Sequence, residues 1–155
     1  GDFTPGANYT LMPVGNHRAG VFICVESAYP SIARTLTKGG ADVLINISND
    51  GYLGPTAVMR QHLANAIFRA VENRRSVLRI TNSGITARIR EDGFMENETQ
   101  GFQTDVRRWR ISGALGNGTF YSRHGDLFVQ ICSVLSVLIL VGSFFRRRRS
   151  IKQSI

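Results

Sequence analysis

The sequence is poor in cysteine and in lysine. It has two cysteines, Cys24 and Cys132, too few for a disulfide-stabilised scaffold or for a zinc site built from cysteine alone. It also has two lysines, Lys38 and Lys152, so few positions can supply a side-chain amine to a catalytic site. A hydrophobic share of 43% excludes a disordered polar chain.

Negative charge is missing from the C-terminal part of the chain. Residues 1–126 carry 14 basic and 11 acidic side chains, whereas residues 127–155 carry five basic and no acidic ones. The formal net charge of +8 therefore comes largely from the tail, so we expect no nucleic-acid partner. The chain begins with Gly1 rather than methionine, and we expect it to be processed or to be part of a longer protein.

A long apolar run precedes that basic tail. Residues 127–145 contain no charged side chain, and as a helix they would span about 28 Å, close to the ~30 Å hydrocarbon core of a bilayer. Residues 146–149 are all arginine, and basic residues beside a membrane span tend to stay in the cytoplasm. This predicts a transmembrane helix at 127–145, a cytoplasmic tail at 146–155, and a domain of residues 1–126 outside the membrane. A buried core helix is the alternative.

The pattern of residues 1–126 predicts an α/β domain with helices packed on a sheet. Short apolar runs indicate strands, and an apolar stripe at helical spacing indicates a long helix. The predicted strands are residues 19–25, 42–47, 76–80, 85–90 and 104–111; the predicted helices run from Pro30 to the glycines at 39 and 40 and over 56–75; residues 1–16 are predicted to be loop.

Cys24 is the first candidate for chemistry. It lies near the end of a predicted buried strand, just before a turn into a helix, and the N-terminal end of a helix favours the thiolate form of cysteine. This position predicts a nucleophile, with a buried structural cysteine as the alternative. The sequence places none of the histidines (His17, His62 and His124) beside Cys24, so a Cys–His pair stays open. Neither lysine is placed to serve Cys24.

Polar residues near the same sheet edge are further candidates. Glu26 follows Cys24 by two residues and is suited either to orienting a neighbour or to capping a helix start. Asn49, Asp50 and Tyr52 lie in a loop after the next predicted strand, where α/β proteins build binding sites. An ordinary turn is the alternative for this loop.

A structural role is expected for three charged residues of the long predicted helix. Arg69, Glu72 and Arg75 follow one another at intervals of three residues, and such spacing brings side chains together on one helix face. We expect them to form a charge ladder.

Five ordered blocks of the sequence resemble the nitrilase-type domain of bacterial apolipoprotein N-acyltransferases. They are residues 23–26 (ICVE), 47–54 (ISNDGYLG), 61–63 (QHL), 69–75 (RAVENRR) and 81–87 (TNSGITA). The resemblance extends over nearly the whole chain. It implies part of an α-β-β-α sandwich on the periplasmic side of the bacterial inner membrane, followed by one transmembrane helix.

The resemblance also implies a reaction. Enzymes of this family transfer an acyl chain from a phospholipid to the N-terminal amine of a diacylglyceryl-cysteine lipoprotein. The expected partners are therefore a phospholipid donor, a lipoprotein acceptor and the membrane. Cys24 matches the nucleophile that carries the acyl chain as a thioester. Glu26 is expected to support it, and Asn49, Asp50 and Tyr52 to bind substrate. No cofactor and no metal are implied.

Three departures from the family pattern matter. The glutamate that acts as the base in this family and its lysine lie upstream of the segment that matches Gly1. We therefore expect this chain to be a fragment that is inactive alone. Val25 stands where the family has an aromatic residue, and Tyr52-Leu53 stands where Trp-Phe is common. An amidase or nitrile hydrolase of the wider nitrilase superfamily, and a catalytically inactive membrane-anchored remnant, are the alternatives.

Overall fold

The structure is a computed structural model that describes residues 4, 6–111, 113, 116 and 118–152. Residues 1–3, 5 and 153–155, which belong to the predicted N-terminal loop and C-terminal tail, lie outside the described residues. The chain divides into two compact units, Gly1–Arg123 and His124–Ile155, and each is described separately.

The first unit is built on one six-stranded sheet whose strands are arranged in chain order. The strands are β1 (Leu11–Val14), β2 (His17–Ile23), β3 (Val43–Ser48), β4 (Val77–Thr81), β5 (Ala87–Ile89) and β6 (Met95–Glu96). The central strands β2, β3 and β4 are parallel, and the outer pairings are antiparallel. The helices are α1 (Pro30–Lys38), α2 (Ala57–Asn73), α3 (Phe120–His124) and α4 (Leu127–Lys152), and short 3₁₀ turns span Cys24–Ala28 and Gly51–Leu53.

Helices α1 and α2 cover one face of the sheet. Each connects two neighbouring parallel strands, and the right-handed crossover preferred for such connections brings both helices to the same face. Helix α1 contacts β2 and β3, and helix α2 contacts β4 and β5. The core between the helices and the sheet includes Phe22, Leu36, Leu44, Ala66 and Val77, each less than 2% exposed. This core fixes the strands whose carboxyl ends carry the candidate site.

The opposite face of the sheet exposes an apolar row. Ile23, Ile47 and Ile80 are register partners on β2, β3 and β4, and they are 62%, 48% and 42% exposed. Each follows a buried residue of its own strand, as the alternation of side chains in a strand requires. The described residues therefore form one helix-covered sheet with an apolar second face.

Both crossover helices lie where the sequence predicts them, although α2 ends two residues before the predicted Arg75. Pro30 is the first residue of α1, a position that needs no backbone N–H donor, and Gly39 ends the helix by donating its N–H to the Thr35 carbonyl at 2.9 Å. Helix α2 begins after Thr56 and ends at Asn73, because Arg74 adopts a left-handed conformation with φ 51°.

The structure differs from the sequence prediction in several elements, and β6 lies where no strand is predicted. The strand predicted over 19–25 ends at Ile23, because the backbone turns into a 3₁₀ helix at Cys24. Strand β1 lies inside the predicted N-terminal loop, where Pro13 is tolerated because β1 is an edge strand. The strand predicted over residues 104–111 is absent, because these residues pair with no neighbouring strand; Val106 is 91% exposed.

The second unit consists mainly of helix α4. The stretch Leu127–Phe144 has a mean hydropathy of 2.4 and no buried residue, so it is long and apolar enough to cross a membrane. Ser133 and Ser136 donate their hydroxyl hydrogen bonds to the carbonyls of Val129 and Cys132, at 2.8 Å each. The hydroxyls of these two serines are thus satisfied within the helix, as a hydrocarbon environment requires.

The packing of α1 on β2 predicts that Gly20→Ala destabilises the domain. A Cβ atom at residue 20 would lie 2.8 Å from Leu36 Cβ and 3.2 Å from Ala41 Cβ, so the helix would have to move. We expect a loss of about 1–3 kcal/mol in the free energy of unfolding. Urea unfolding in detergent measures it, and Gly6→Ala, where a Cβ meets no atom within 4 Å, is the control. Equal midpoints for the two variants would contradict the packing described.

Candidate active site

The carboxyl ends of the three parallel strands meet at one edge of the sheet. Cys24 follows β2 directly, and Asn49 and Asp50 follow β3. The register pairs Ile23 with Ile47 and brings Ser48 beside Thr81 at the end of β4. The loops after these strands therefore come together, as ligand-binding loops do in parallel α/β sheets.

Cys24 is the first residue of the 3₁₀ turn and has a left-handed backbone with φ 50°. Its side chain is half-buried, and its Sγ lies 3.6 Å from the Tyr52 hydroxyl. The sequence places Cys24 just before a turn into a helix; that turn is the 3₁₀ helix Cys24–Ala28, and α1 begins only at Pro30. The nearby backbone donor is the N–H of Val25 in the 3₁₀ turn, rather than the end of a long helix.

The surroundings of Cys24 favour its thiolate form. Burial opposes ionisation and Asp50 repels negative charge, but hydrogen bonds from the Ser48 and Tyr52 hydroxyls and from the Val25 N–H outweigh both, so the pKa of Cys24 lies below its ordinary value. The hydrogen bond to Cys24 also raises the pKa of Tyr52, which keeps the phenol protonated as a donor. A cysteine with a lowered pKa is a better nucleophile at neutral pH.

Glu26 braces the same turn. Its Oε2 accepts a hydrogen bond from the Ile23 N–H at 2.6 Å, which satisfies a backbone donor at the start of the turn. The turn is also fixed to α2, because Arg69 donates from Nη1 to the Ser27 carbonyl at 3.2 Å. The carboxylate of Glu26 is thus committed to the backbone beside the thiol.

A buried polar network lies beneath Cys24. Asp50 is 0% exposed, and its Oδ1 accepts hydrogen bonds from Ser48 Oγ at 2.6 Å and from His62 Nδ1 at 3.0 Å. Its Oδ2 pairs with Nη2 of Arg79, also 0% exposed, at 2.5 Å. Burial opposes the charge of Asp50, but Ser48, Arg79 and His62 outweigh it, and its pKa is lowered. Asp50 therefore remains a carboxylate inside the protein.

Ser48 connects this network to the thiol. A hydroxyl carries one proton, so Ser48 donates either to Asp50 or to Cys24 at a given moment. The 2.6 Å distance to Oδ1 shows the state in which Asp50 receives the bond.

The backbone of Gly84 packs directly against the Asp50 side chain. A Cβ atom on Gly84, in the loop after β4, would collide with the Asp50 carboxylate. This close approach requires glycine at residue 84 whatever its backbone conformation.

The predicted substrate-binding residues differ in their access to solvent. Asn49 is exposed, and its Oδ1 accepts a hydrogen bond from the Gly51 N–H at 3.1 Å. Tyr52 is 73% exposed. Asp50 has no exposed surface and both its carboxylate oxygens are bonded, so it supports the loop from within. Only Asn49 and Tyr52 are open to a ligand.

The remaining candidates take structural positions. His62 bonds to Asp50 rather than to Cys24. Arg69 pairs with Glu72 at 2.8 Å, as the predicted ladder requires, but Arg75 lies beyond the end of α2 and donates to the Ala41 carbonyl instead. Within the described residues, no three His, Cys, Asp or Glu side chains come together as a metal site.

Sequence reasoning missed Asn46, Ser48 and Arg79. Asn46 and Arg79 are register partners on β3 and β4, and both face the helices. One signal was available: each is a polar residue inside an otherwise apolar run that reads as a buried strand. A buried polar group requires a hydrogen-bonding partner, so such an interruption points to a network.

A groove is lined by Tyr52, the residue whose hydroxyl contacts Cys24. It has a volume of about 430 Å³ and is bounded by the loop after β3 and by α2. Its lining residues are Val25, Tyr52, Leu53, Val58, Gln61, His62 and Asn65. Tyr52 both lines this groove and contacts the Cys24 thiol, and Val25, the next residue after Cys24, lines it as well.

Comparison with protein families gives one match over most of the chain. A family model described as carbon-nitrogen hydrolase matches residues 3–126. The apolipoprotein N-acyltransferase of Geobacter metallireducens is 36% identical over 149 residues, which cover 96% of this chain and 28% of that protein. The enzyme of the same name from Thermotoga maritima is 33% identical, over 96% of this chain and 29% of that protein. The chain thus spans less than a third of the length of these relatives.

Solved structures confirm the fold class. Nit3 of Saccharomyces cerevisiae, a member of branch 10 of the nitrilase superfamily, aligns with a TM-score of 0.54 at 22% identity, over 65% of this chain and 40% of its own. An amidase from Nesterenkonia sp. aligns with a TM-score of 0.53 at 19% identity, over 65% and 40%. The predicted nitrilase-type α/β architecture is therefore correct.

The hydrogen bond between Tyr52 and Cys24 predicts that Tyr52→Phe makes the thiol less reactive near neutral pH. Without the phenol donor the pKa of Cys24 rises, so a smaller fraction is thiolate and alkylation by iodoacetamide slows several-fold. The measurement is the pH dependence of alkylation at Cys24, in a Cys132→Ala background. Tyr9→Phe, at another exposed tyrosine, is the control. Unchanged pH profiles in both variants would show that the hydroxyl does not act on the thiol.

Proposed function

Because the chain belongs to the carbon-nitrogen hydrolase family, we propose that it carries the nucleophile of an apolipoprotein N-acyltransferase, as its sequence relatives by name suggest. The observation that supports the proposal most directly is the environment of Cys24. Its half-buried thiol lies at the carboxyl edge of the parallel strands, beside the Tyr52 hydroxyl, and its pKa is lowered. This is the environment that an attacking thiolate requires.

The proposed reaction has two acyl-transfer steps. In the first, the Cys24 thiolate attacks the ester carbonyl of a phospholipid; the C–S bond forms, the C–O bond breaks, and the lysophospholipid leaves with a proton from a general acid. In the second, the amine of a diacylglyceryl-cysteine lipoprotein attacks the thioester and loses a proton to the same group; the C–N bond forms and the thiolate is released. No electrons are gained or lost in either step.

The groove beside Cys24 is the proposed site for the acyl chain. Val25, Leu53 and Val58 supply apolar surface, and the exposed ring of Tyr52 lies between this surface and the thiol. Asn49, which is exposed in the same loop, is proposed to contact the polar part of a substrate. Glu26 supports the nucleophile by holding the backbone of the turn.

The general acid–base and the lysine are proposed to come from a part of the protein outside these 155 residues. Lys38 lies in the last turn of α1 and Lys152 at the end of α4, and Glu26 is bonded to the Ile23 N–H. The apolar row Ile23, Ile47 and Ile80 is proposed to be covered by a second sheet, which would complete the α-β-β-α sandwich.

The proposed location is the bacterial inner membrane. Helix α4 contains the apolar stretch Leu127–Phe144, and arginines follow that stretch at positions 146–149. By the positive-inside rule the tail at 146–155 faces the cytoplasm, so the domain of residues 1–126 faces the periplasm, where lipoprotein substrates are presented.

Replacing Cys24 tests the nucleophile directly. The test uses the polypeptide as the cell produces it, incubated with phospholipid vesicles in the absence of an acceptor. We expect an acyl thioester on the peptide that contains Cys24. Mass spectrometry detects this adduct, and hydroxylamine removes it. Cys24→Ala is expected to abolish the adduct, because the thioester forms on the Cys24 sulfur, whereas Cys132→Ala is expected to retain it. An adduct on any other residue would assign the nucleophile elsewhere.

The 155-residue chain by itself is expected to show no acyl transfer. The proposed base and lysine are outside it, so proton transfer to the leaving group and from the amine lacks a catalyst. The measurement is transfer of a labelled acyl chain from phospholipid to a diacylglyceryl peptide in mixed micelles. Turnover that depends on Cys24 would show that these residues suffice and would refute an external base.

A further inference from the structure

The backbone of Cys24 is held in a conformation that it would rarely adopt unaided. Its φ of 50° lies in the left-handed region, where the Cβ of a residue other than glycine crowds the backbone. Such a residue keeps this conformation only when the surrounding structure determines it.

Side chains bond to three consecutive residues at this point. The Asn46 amide donates from Nδ2 to the carbonyl of Phe22 at 3.3 Å and to the carbonyl of Cys24 at 3.4 Å. Between them, the Ile23 N–H donates to Glu26 at 2.6 Å. Asn46 thus connects β3 to the end of β2, at Phe22, and to Cys24.

Arg79 fixes the direction in which the Asn46 amide points. Arg79 Nη1 donates to Asn46 Oδ1 at 2.5 Å, and Nη2 pairs with Asp50 at 2.5 Å. A guanidinium group has donors only, so the amide oxygen must face Arg79 and the NH₂ group must face β2. All three side chains are 0% exposed, so water does not compete for these bonds.

We propose that Asn46 is a positioning residue that holds Cys24 in its left-handed conformation, and that the Arg79–Asp50 pair orients it. We call the two hydrogen bonds from Asn46 to the Phe22 and Cys24 carbonyls the Asn46 clamp. Its effect on function rests on the proposed role of Cys24 as the nucleophile, because the clamp keeps the thiol beside the Tyr52 and Ser48 hydroxyls.

The conformational test compares glycine with alanine at residue 24. Glycine adopts positive φ without strain, so Cys24→Gly should unfold at a higher urea concentration than Cys24→Ala while Asn46 is present. When Asn46→Ser removes the clamp, the backbone relaxes to negative φ, and the advantage of glycine should vanish or reverse. The experiment uses the full chain in detergent, with circular dichroism as the readout.

Asn73 provides a matched control. It is also 0% exposed, and its Nδ2 donates to a backbone carbonyl, that of Arg69, at 2.9 Å. Asn73→Ser should leave the glycine advantage at residue 24 intact even if it lowers both midpoints. If Asn46→Ser does not fold, Asn46→Asp keeps the side-chain shape and the contact with Arg79, and it gives the same comparison. A glycine advantage that persists without the Asn46 amide would overturn the proposal.

The functional test is the pH profile of iodoacetamide alkylation at Cys24, with Cys132→Ala as the background. Asn46→Ser should move the midpoint of the profile upward, because the thiolate leaves its hydroxyl donors, whereas Asn73→Ser should not move it. A clamp seen in the stability comparison, together with a Cys24 that reacts no faster than an ordinary thiol, would reject the nucleophile and retain the clamp. A reactive Cys24 whose profile Asn46→Ser leaves unchanged would reject the link between them.

Discussion

A guanidinium and a carboxylate with no exposed surface face each other beneath the carboxyl edge of the sheet, at Arg79 and Asp50. Removing one partner of such a buried pair strands the other charge, at a cost of about 3–5 kcal/mol. The pair is tolerated because most of its hydrogen-bonding capacity is used: Ser48 and His62 donate to Asp50, and Asn46 accepts from Arg79. The contribution of this pair to stability therefore depends on the strand, loop and helix that supply these bonds.

This pair joins elements that are distant in the sequence. Asp50 belongs to the loop after β3, Arg79 to β4 and His62 to α2, and Asn46 extends the contacts to β2. A disturbance at any of these side chains is transmitted to the turn that carries Cys24, because the buried groups have few alternative partners. The position of Cys24 at the sheet edge thus depends on groups that are buried beneath it.

Much of the fold could be predicted from local sequence. Pro30 and Gly39 mark α1, apolar runs mark the parallel strands, and the apolar stripe marks α2. Strand β1 could not be recognised, because its identity depends on pairing with β2. Residues 104–111 form no strand, because no neighbouring strand pairs with them.

The candidate site was only partly accessible to the same reasoning. Cys24 and the loop of Asn49 and Tyr52 could be placed at one sheet edge, because strand order alone brings them there. The inward direction of Asp50 and its bonds to His62 and Arg79 depend on tertiary packing, and no spacing in the chain encodes them.

Gly84 carries no functional group, yet its backbone lies against the Asp50 carboxylate so closely that even one methyl group would displace it. Asp50 would then shift from Arg79, Arg79 from Asn46, and the disturbance would reach the carbonyl of Cys24. In a mutational screen, Gly84→Ala would therefore have the same effect as a replacement in the candidate site itself. A residue without a side chain would be grouped with the residues that the site requires.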